Sequence, residues 1–293
     1  MKLGKWLVGL MLVLLLGIWG CATVPPAPPV KETKAPPKIA LVLGGGAARG
    51  FAHVGVIRML EQEKIPIHMI VGTSVGSLIG AIYASDPNSF NLEWLSFTIE
   101  KDDIFDFSLI YSKMGPVQGE RLEKFVQTKV KAKTLEQMKI PFYAVAADLN
   151  AGNTWVFEKG SVAKAVRASC SIPGIFQPVE IGGKMYVDGG VTNNLPVDVA
   201  RAKGADIIIA VNIGKNIQNP QINSLLDVVL QSINIMGREL VTYKSRGYDV
   251  LLEPNVGDVG MTDFSQKKRL MEAGIQAAKQ AMPRIKKLIE EKS

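Results

Sequence analysis

The sequence predicts an α/β domain with three layers, α/β/α, in which a largely parallel central sheet lies between two layers of helices. Short apolar runs typical of buried strands alternate with longer runs of helical periodicity from residue 39 onward. Such alternation favours right-handed β-α-β connections, which place consecutive strands side by side in parallel. Residues 38–293 form this predicted domain, a length that is ample for one hydrophobic core.

Each predicted element follows from its hydrophobic period. Continuous apolar runs rich in β-branched residues predict strands over residues 39–43, 67–71, 142–147, 206–211 and 249–252. Apolar residues three or four positions apart predict helices over residues 52–62, 75–84, 119–130, 162–169, 225–243 and 267–288. Several of the loops between them contain glycine, aspartate or serine, and three of the connecting segments contain the candidate site residues.

Ser74 lies in a Gly-x-Ser-x-Gly turn, Gly72-Thr73-Ser74-Val75-Gly76, between a strand-like and a helix-like run. The two glycines let the strand bend sharply into the helix and leave the serine hydroxyl exposed at the helix N-terminus. Ordinary glycine-containing turns share this short pattern, so its surroundings decide between a structural and a catalytic role. The placement makes Ser74 a candidate nucleophile.

Both histidines of the chain precede this serine. An α/β-hydrolase triad needs a histidine after the serine, and none follows His68. Chymotrypsin-like and subtilisin-like orders lack a well-placed acid, which argues against a protease. We expect His53 to be a helix residue near the preceding loop and His68 to be a structural strand residue. The nucleophile therefore needs a base other than histidine.

Asp188, in Tyr186-Val187-Asp188-Gly189-Gly190, is the strongest candidate for that base. It ends a short apolar run, and the glycines after it let another backbone approach. An aspartate with the ordinary pKa near 3.9 is a weak base, so Asp188 must be partly desolvated and within hydrogen-bond reach of the serine. An Asp-Gly turn that closes a hairpin from residues 181–184 is a purely structural alternative for Asp188. Asp148, at the end of another strand, is a rival base.

A glycine-rich loop over residues 44–50 joins the first strand to a helix. Backbone N–H groups in such a loop bind anions, as an oxyanion hole or as a phosphate cradle. Ala47 breaks the dinucleotide-binding fingerprint, and a Walker A loop would end in Gly-Lys-Ser or Gly-Lys-Thr. One right-handed crossover places the loop beside Ser74. These features favour an oxyanion hole.

Four blocks in this order resemble the patatin-like phospholipases, and most closely the bacterial members with one compact catalytic domain. The blocks are residues 44–50, residues 72–76, the run Ala168-Ser169-Cys170-Ser171-Ile172-Pro173 and the triplet Asp188-Gly189-Gly190. The resemblance spans about residues 38–290. It implies a patatin-like lipid acyl hydrolase in which Ser74 is the nucleophile and Asp188 is the base of a Ser–Asp dyad.

The same resemblance assigns the glycine loop. The positions that match the oxyanion glycines are Gly44, Gly45 and Gly46, with Arg49 as the basic residue of that loop. Ala47 stands where members often have a fourth glycine, and alanine resists the positive φ values that glycine permits. The identity of the N–H groups that form the hole is therefore open at the level of sequence.

The implied substrate is an ester bond of a phospholipid or lysophospholipid, and no cofactor is expected. Two histidines and two cysteines are too few for a histidine- or cysteine-based metal site, and no basic tract interleaved with aromatics indicates nucleic-acid binding. Aromatic residues concentrate over residues 90–111. This segment forms either a flap that holds acyl chains or a part of the ordinary core. A non-catalytic lipid-binding or scaffolding protein is the alternative function.

The N-terminus predicts export. Lys2 and Lys5 precede an uninterrupted apolar run over residues 6–18, which makes about 20 Å of helix and is shorter than a bilayer core of about 30 Å. The run Ile18-Trp19-Gly20-Cys21 resembles a bacterial lipobox, which implies cleavage before Cys21 and acylation of that cysteine. An unlipidated secreted protein and an uncleaved signal anchor are the alternatives. Residues 1–20 are then a signal peptide and residues 21–37 a proline-rich tether. We expect a lipid-anchored protein of the bacterial cell envelope, with Cys170 packed and without a disulfide partner.

Overall fold

The computed structural model describes residues 35–106, 115–214, 222–223, 225–260 and 262–293. The predicted signal peptide, Cys21 and most of the predicted tether lie outside the described residues, as do Phe107 and Tyr111 of the aromatic segment. The compact unit that carries the candidate site runs from Pro36 to Ser293. Within the described ranges, no helix is both long enough and apolar enough to cross a membrane.

The described chain alternates strands with helices. The strands are β1 Ile39–Leu43, β2 Met69–Thr73, β3 Phe142–Asp148, β4 Asn153–Phe157, β5 Val179–Ile181, β6 Lys184–Asp188, β7 Ile207–Val211 and β8 Val250–Leu252. The α-helices are α1 Phe51–Gln62, α2 Val75–Ser85, α3 Ser89–Thr98, α4 Lys101–Ile104, α5 Glu120–Lys129, α6 Val162–Ser169, α7 Val197–Ala202, α8 Leu225–Lys244 and α9 Lys267–Lys292. Short 3-10 helices include Ala47–Gly50 and Gly189–Val191.

These strands form one sheet in the order β5-β6-β3-β2-β1-β7-β8, with β4 paired to β3. Strands β3, β2, β1, β7 and β8 are parallel neighbours, whereas β4 and β6 run antiparallel to β3. The predicted parallel sheet is therefore confirmed, and an antiparallel edge extends it. Parallel strands buried on both faces account for the continuous apolar runs in the sequence.

The two faces of the sheet bury different side chains. Ile39, Leu41 and Leu43 of β1 belong to a large core that also contains apolar residues of α1, α2 and α9. Ala40 and Val42 belong to a smaller core on the other face, with apolar residues of α7. Alternate residues of one strand thus contact separate helical layers. The predicted three-layer α/β/α arrangement is confirmed.

The register along β3 brings the candidate site together. Thr73, the last residue of β2, pairs with Val145, and Asp188, the last residue of β6, pairs with Ala146. Because β4 occupies the other edge of β3 over this stretch, β2 and β6 must lie on the same edge. The two strands therefore meet end to end along β3, and the residue after β2 lies beside the end of β6.

Helices α1 and α9 approach each other at backbone distance. A β-carbon placed on Gly55 of α1 would lie 1.9 Å from the Met271 carbonyl oxygen, and one placed on Gly274 of α9 would lie 2.0 Å from the Ala52 carbonyl oxygen. Real β-carbons do not approach oxygen atoms this closely, so glycine is required at both positions. The start of α1, which follows the glycine loop directly, is thereby held against α9.

Candidate active site

Ser74 lies at the sharp turn from β2 into α2. Its backbone has φ 55° and ψ −130°, a conformation that residues with side chains seldom adopt. A β-carbon on Gly72 would lie 2.5 Å from the Gly76 carbonyl oxygen, and one on Gly76 would lie 2.1 Å from the Leu43 carbonyl oxygen. Both glycines of the motif are therefore needed for the turn. The predicted strand-turn-helix setting of Ser74 is confirmed.

Hydrogen bonds on both sides of Ser74 hold this conformation. The Ser74 carbonyl accepts the backbone N–H of Ser77 at 2.8 Å and the Ser77 hydroxyl at 2.7 Å. The Ser74 N–H donates to the hydroxyl oxygen of Ser169 at 2.9 Å. Hydrogen bonds of this kind offset the cost of the positive φ value.

Asp188 is buried at the end of β6, with 5% of its surface exposed. One carboxylate oxygen, Oδ1, accepts the N–H of Gly190 at 2.7 Å. The other, Oδ2, is buried and has no partner with good hydrogen-bond geometry among the described residues. Burial raises the pKa of Asp188 to about 6, although interaction with the Ser74 hydroxyl and the Gly190 N–H partly opposes that shift. The structure thus places a desolvated carboxylate, one oxygen of which has no well-formed hydrogen bond in the described chain, beside the elbow serine.

Asp148, the rival base, is committed elsewhere. Its Oδ1 accepts the N–H groups of Asn150 and Ala151, each at 3.0 Å. Its Oδ2 lies 3.3 Å from the ammonium nitrogen of Lys184. The N–H of Ala151 holds the pKa of Asp148 below its ordinary value, with further help from Lys184. These contacts are those of an aspartate that closes a turn at the end of β3.

The glycine loop presents its N–H groups unequally. The N–H groups of Gly44 and Gly45 donate to the carbonyls of Val211 and Asn194, each at 3.1 Å. Those of Gly46 and Ala47 have no acceptor among the described residues. Ala47 has φ 51°, which lies in the left-handed region that favours glycine. In this conformation the available donors are therefore on Gly46 and Ala47 rather than on Gly44 and Gly45.

Two buried cationic or titratable side chains bind carbonyls of the loop. Nε of Arg49 donates to the Gly46 carbonyl at 2.9 Å, and its Nη1 is buried with no partner in the described chain. Nε2 of His53 donates to the Gly44 carbonyl at 2.8 Å. Burial lowers the pKa of Arg49 to about 10 and that of His53 to about 4, so the histidine is neutral near pH 7. His53 is a structural helix residue, as predicted, and it fixes the loop.

Two cavities meet at Ser74. The larger has a volume of about 780 Å³ and contacts Gly46, Arg49 and Asp188, together with residues of α8. The smaller, of about 80 Å³, is lined almost entirely by apolar side chains. They include Leu78 and Ile82 of α2, Leu95 of α3, Phe105, Phe125 of α5 and Phe176. Ser74 therefore lines both a mixed polar cleft and an apolar cavity.

Sequence reasoning missed two residues that organise this site. Asn194 binds Gly45 on both sides, since its carbonyl accepts the Gly45 N–H and its Nδ2 donates to the Gly45 carbonyl at 3.3 Å. Its position shortly after the Asp-Gly-Gly triplet was the only signal in the sequence. Ser169 was part of a block noted for its resemblance, but its hydroxyl had no predicted role.

The comparison with known proteins agrees with this geometry. The sequence profile of the patatin-like phospholipase family matches residues 41–201, more than half of the chain. The chain belongs to the patatin-like phospholipase family.

Its relatives differ in length and in what is known of them. It is 33% identical over 202 residues to an uncharacterised NTE family protein of Mycobacterium bovis, a match covering 69% of this chain and 56% of that protein. It is 36% identical over 184 residues to patatin-like phospholipase domain-containing protein 6 of Homo sapiens, covering 60% of this chain and 13% of the human protein. The crystal structure of VipD from Legionella pneumophila superposes with a TM-score of 0.58 at 14% identity, covering 86% of this chain and 67% of that one. The chain therefore spans about half of the M. bovis relative, and VipD shares its fold.

Proposed function

We propose that this protein is a serine acyl hydrolase that cleaves ester bonds of phospholipids or lysophospholipids through a Ser74–Asp188 dyad. One observation carries the proposal: a buried carboxylate oxygen of Asp188 without a partner of good geometry in the described chain lies beside a serine held at a strained elbow. A buried carboxylate normally finds hydrogen-bond partners, so an oxygen kept free next to a nucleophile is suited to accept a proton.

The proposed reaction has two steps. Asp188 Oδ2 accepts the hydroxyl proton as Ser74 Oγ attacks the ester carbonyl carbon, and the protonated carboxyl then delivers that proton to the departing alcohol. In the second step a water molecule gives a proton to Asp188 and its oxygen bonds to the acyl carbon. The acyl–serine bond breaks, the fatty acid leaves, and Asp188 returns the proton to Ser74.

The oxyanion formed in both steps needs N–H donors beside the nucleophile. The sequence assigned this role to Gly44, Gly45 and Gly46, with Arg49. We assign donation to Gly46 and Ala47, because their N–H groups lack acceptors in the described chain and both residues line the cleft at Ser74. Gly44 and Gly45, whose N–H groups are bonded to the carbonyls of Val211 and Asn194, then hold the loop in place.

The apolar cavity supports a lipid substrate. Its volume of about 80 Å³ admits the first methylene groups of an acyl chain, which would leave water for a surface of aliphatic and aromatic side chains. The polar part of the ester would stay in the larger cleft. Leu95 and Phe105 lie within the aromatic segment over residues 90–111 and line this cavity, whereas Phe90, Trp94 and Phe97 are exposed. These positions support the hypothesis that part of this segment holds acyl chains.

The location proposed for this activity follows from the sequence alone. Export with residues 1–20 as a signal peptide, acylation at Cys21 and a tether over residues 21–37 would hold the domain at a membrane of the bacterial cell envelope. A lipid anchor would keep the hydrolase at the surface that contains its substrate.

A covalent fluorophosphonate probe tests the function directly. We expect the wild-type protein to be labelled at Ser74, as read by peptide mass spectrometry, and the Ser74→Ala variant to remain unlabelled. Asp188→Asn should lower kcat for a short nitrophenyl ester by about a thousandfold or more, because the proton acceptor is lost. Vesicles of phosphatidylcholine and lysophosphatidylcholine would then show which ester is cleaved.

Asp148→Asn is the matched control for the base, since Asp148 is the other buried strand-end aspartate. We expect it to retain turnover within about tenfold after correction for the folded fraction, because its partners belong to a turn. Absence of labelling in a folded wild-type protein would contradict the proposal and favour a non-catalytic lipid-binding protein. Loss of turnover in Asp148→Asn, with Asp188→Asn active, would overturn the choice of base.

A further inference from the structure

The run over residues 168–173, singled out in the sequence, has no part in the proposed mechanism. Its two serines, Ser169 and Ser171, are completely buried. We propose that Ser169 is a positioning residue that holds the nucleophile Ser74 in its strained conformation, an inference that rests on the proposed function.

The Ser169 hydroxyl acts as both acceptor and donor in one bridge. Its Oγ accepts the N–H of Ser74 at 2.9 Å and donates to the Val145 carbonyl at 2.6 Å. Val145 is the β3 residue that pairs with Thr73, the last residue of β2. The hydroxyl therefore continues the connection between β2 and β3 by one residue, past the point where the strands themselves stop pairing.

The hydroxyl bridge holds the backbone of Ser74, which is in a strained conformation. Ser74 has φ 55°, and as the residue that caps α2 it has no intrahelical acceptor for its N–H. The bridge to Val145 keeps the peptide between Thr73 and Ser74 from rotating toward a relaxed conformation. A misplacement of about 1 Å at a reacting atom costs about a hundredfold in rate, so a small rotation of this peptide would lower the catalytic rate.

The same segment also holds the backbone of the proposed base. The Asp188 N–H donates to the Ser171 carbonyl at 2.9 Å. The Ser171 hydroxyl, in contrast, donates to the Arg167 carbonyl at 2.8 Å, at the end of its own helix. A side chain at 169 and a main-chain carbonyl at 171 thus link both members of the proposed dyad to one short piece of chain.

Ser85, at the C-terminal end of α2, provides a matched control. Ser169→Ala removes the hydroxyl that contacts the nucleophile. Ser85→Ala removes another buried hydroxyl, which accepts the Lys131 N–H at 3.3 Å and donates to the Ile82 carbonyl at 2.9 Å. We expect Ser169→Ala to lower kcat for a nitrophenyl ester and the rate of fluorophosphonate labelling by about 10- to 100-fold. KM should stay within about threefold, and the pH at which the rate falls should not move, since Asp188 is untouched. Ser85→Ala should stay within about threefold of wild type in all of these quantities.

Both variants are measured at a temperature where circular dichroism shows them to be folded, so that stability does not enter the rates. Wild-type labelling together with a wild-type rate in Ser169→Ala would overturn the positioning role and leave the proposed function intact. Equal losses in Ser169→Ala and Ser85→Ala would also overturn it, since they would indicate a general effect of losing a buried hydroxyl. If the wild-type protein is not labelled, the proposed function and this inference both fail.

Discussion

At the residue scale, the pKa of Asp188 sets the pH range of the proposed reaction. The base must be ionised to accept the serine proton, and burial raises its pKa to about 6. Lowering the pH through that value protonates Asp188 and removes the base. We therefore expect kcat/KM for a soluble ester to be level near pH 7 and to fall about tenfold per pH unit below pH 6.

A pH–rate profile measured with a folded protein at each pH checks this expectation. His53 is the other buried group in the loop region, but its pKa of about 4 is too low to produce a fall near 6. His53→Gln should therefore leave the position of the acidic limb unchanged. A limb centred near the ordinary aspartate value of about 3.9 would show that Asp188 is solvated in the working protein.

The sequence supports individual site residues to different degrees. Ser74 and Asp188 were proposed from local patterns, because a strand-turn-helix setting and an aspartate at the end of a strand can each be recognised from a few adjacent residues. The choice among N–H donors of the glycine loop depends on which of them bond to Val211 and Asn194, residues far along the chain. No local pattern encodes such a contact, so the sequence assigned the role to Gly44, Gly45 and Gly46, with Arg49, through the family resemblance alone.

At the element scale, a substitution where α1 and α9 cross tests whether the contact between these two helices supports the start of α1 after the glycine loop. Gly274→Ala places a methyl group about 2 Å from the Ala52 carbonyl oxygen, which forces the two helices apart. We expect a loss of about 2 to 4 kcal/mol in the free energy of unfolding, measured by urea denaturation.

Gly237 in α8 is the matched control, because an added β-carbon there lies 3.8 Å from its nearest neighbour, the Gly190 carbonyl oxygen. Gly237→Ala should be neutral or stabilise the protein by up to about 1 kcal/mol, since alanine favours a helix. If Gly274→Ala were equally harmless, α1 and α9 would not be in backbone contact in solution.

Helices and strands could be predicted from the sequence where a periodic pattern extended over many residues or where a strand was completely buried. Strands β1, β3, β7 and β8 were found within two residues of their bounds, and β2 was predicted two residues early, since its apolar run starts before the strand. His68 was predicted to be a structural strand residue, but it lies one residue before β2. It accepts the N–H of Ile39 through Nδ1 at 3.0 Å, so its role is structural as expected. Strand β4 is an edge strand with alternating exposure, and β5 has three residues. Neither gives a continuous apolar run.

At the scale of the whole molecule, the proposed lipid anchor at Cys21 and the domain from Pro36 onward can be tested separately. If Cys21 is the acylated residue, Cys21→Ser should move the protein from the membrane fraction to the soluble fraction and abolish metabolic labelling with palmitate. Esterase activity per folded molecule on a soluble substrate should not change, because Cys21 precedes the compact unit that begins at Pro36.

Cys170→Ser supplies the control, because the chain has two cysteines. Cys170 is buried, and burial together with the charge of Asp188 raises the pKa of its thiol, so it stays protonated and packed. We expect Cys170→Ser to keep its palmitate label and its membrane association. Retention of Cys21→Ser in the membrane fraction would instead favour an uncleaved apolar anchor.

The end-to-end meeting of β2 and β6 along β3 also bears on the order in which the protein becomes active. Ser74 is synthesised long before residue 188, and strands β1, β2 and β3 can pair without the hairpin that supplies the aspartate. A nascent or incompletely folded chain therefore carries the proposed nucleophile without its proton acceptor. We therefore expect such a chain to have no esterase activity until the β5–β6 hairpin adds to the edge of β3 beyond β2.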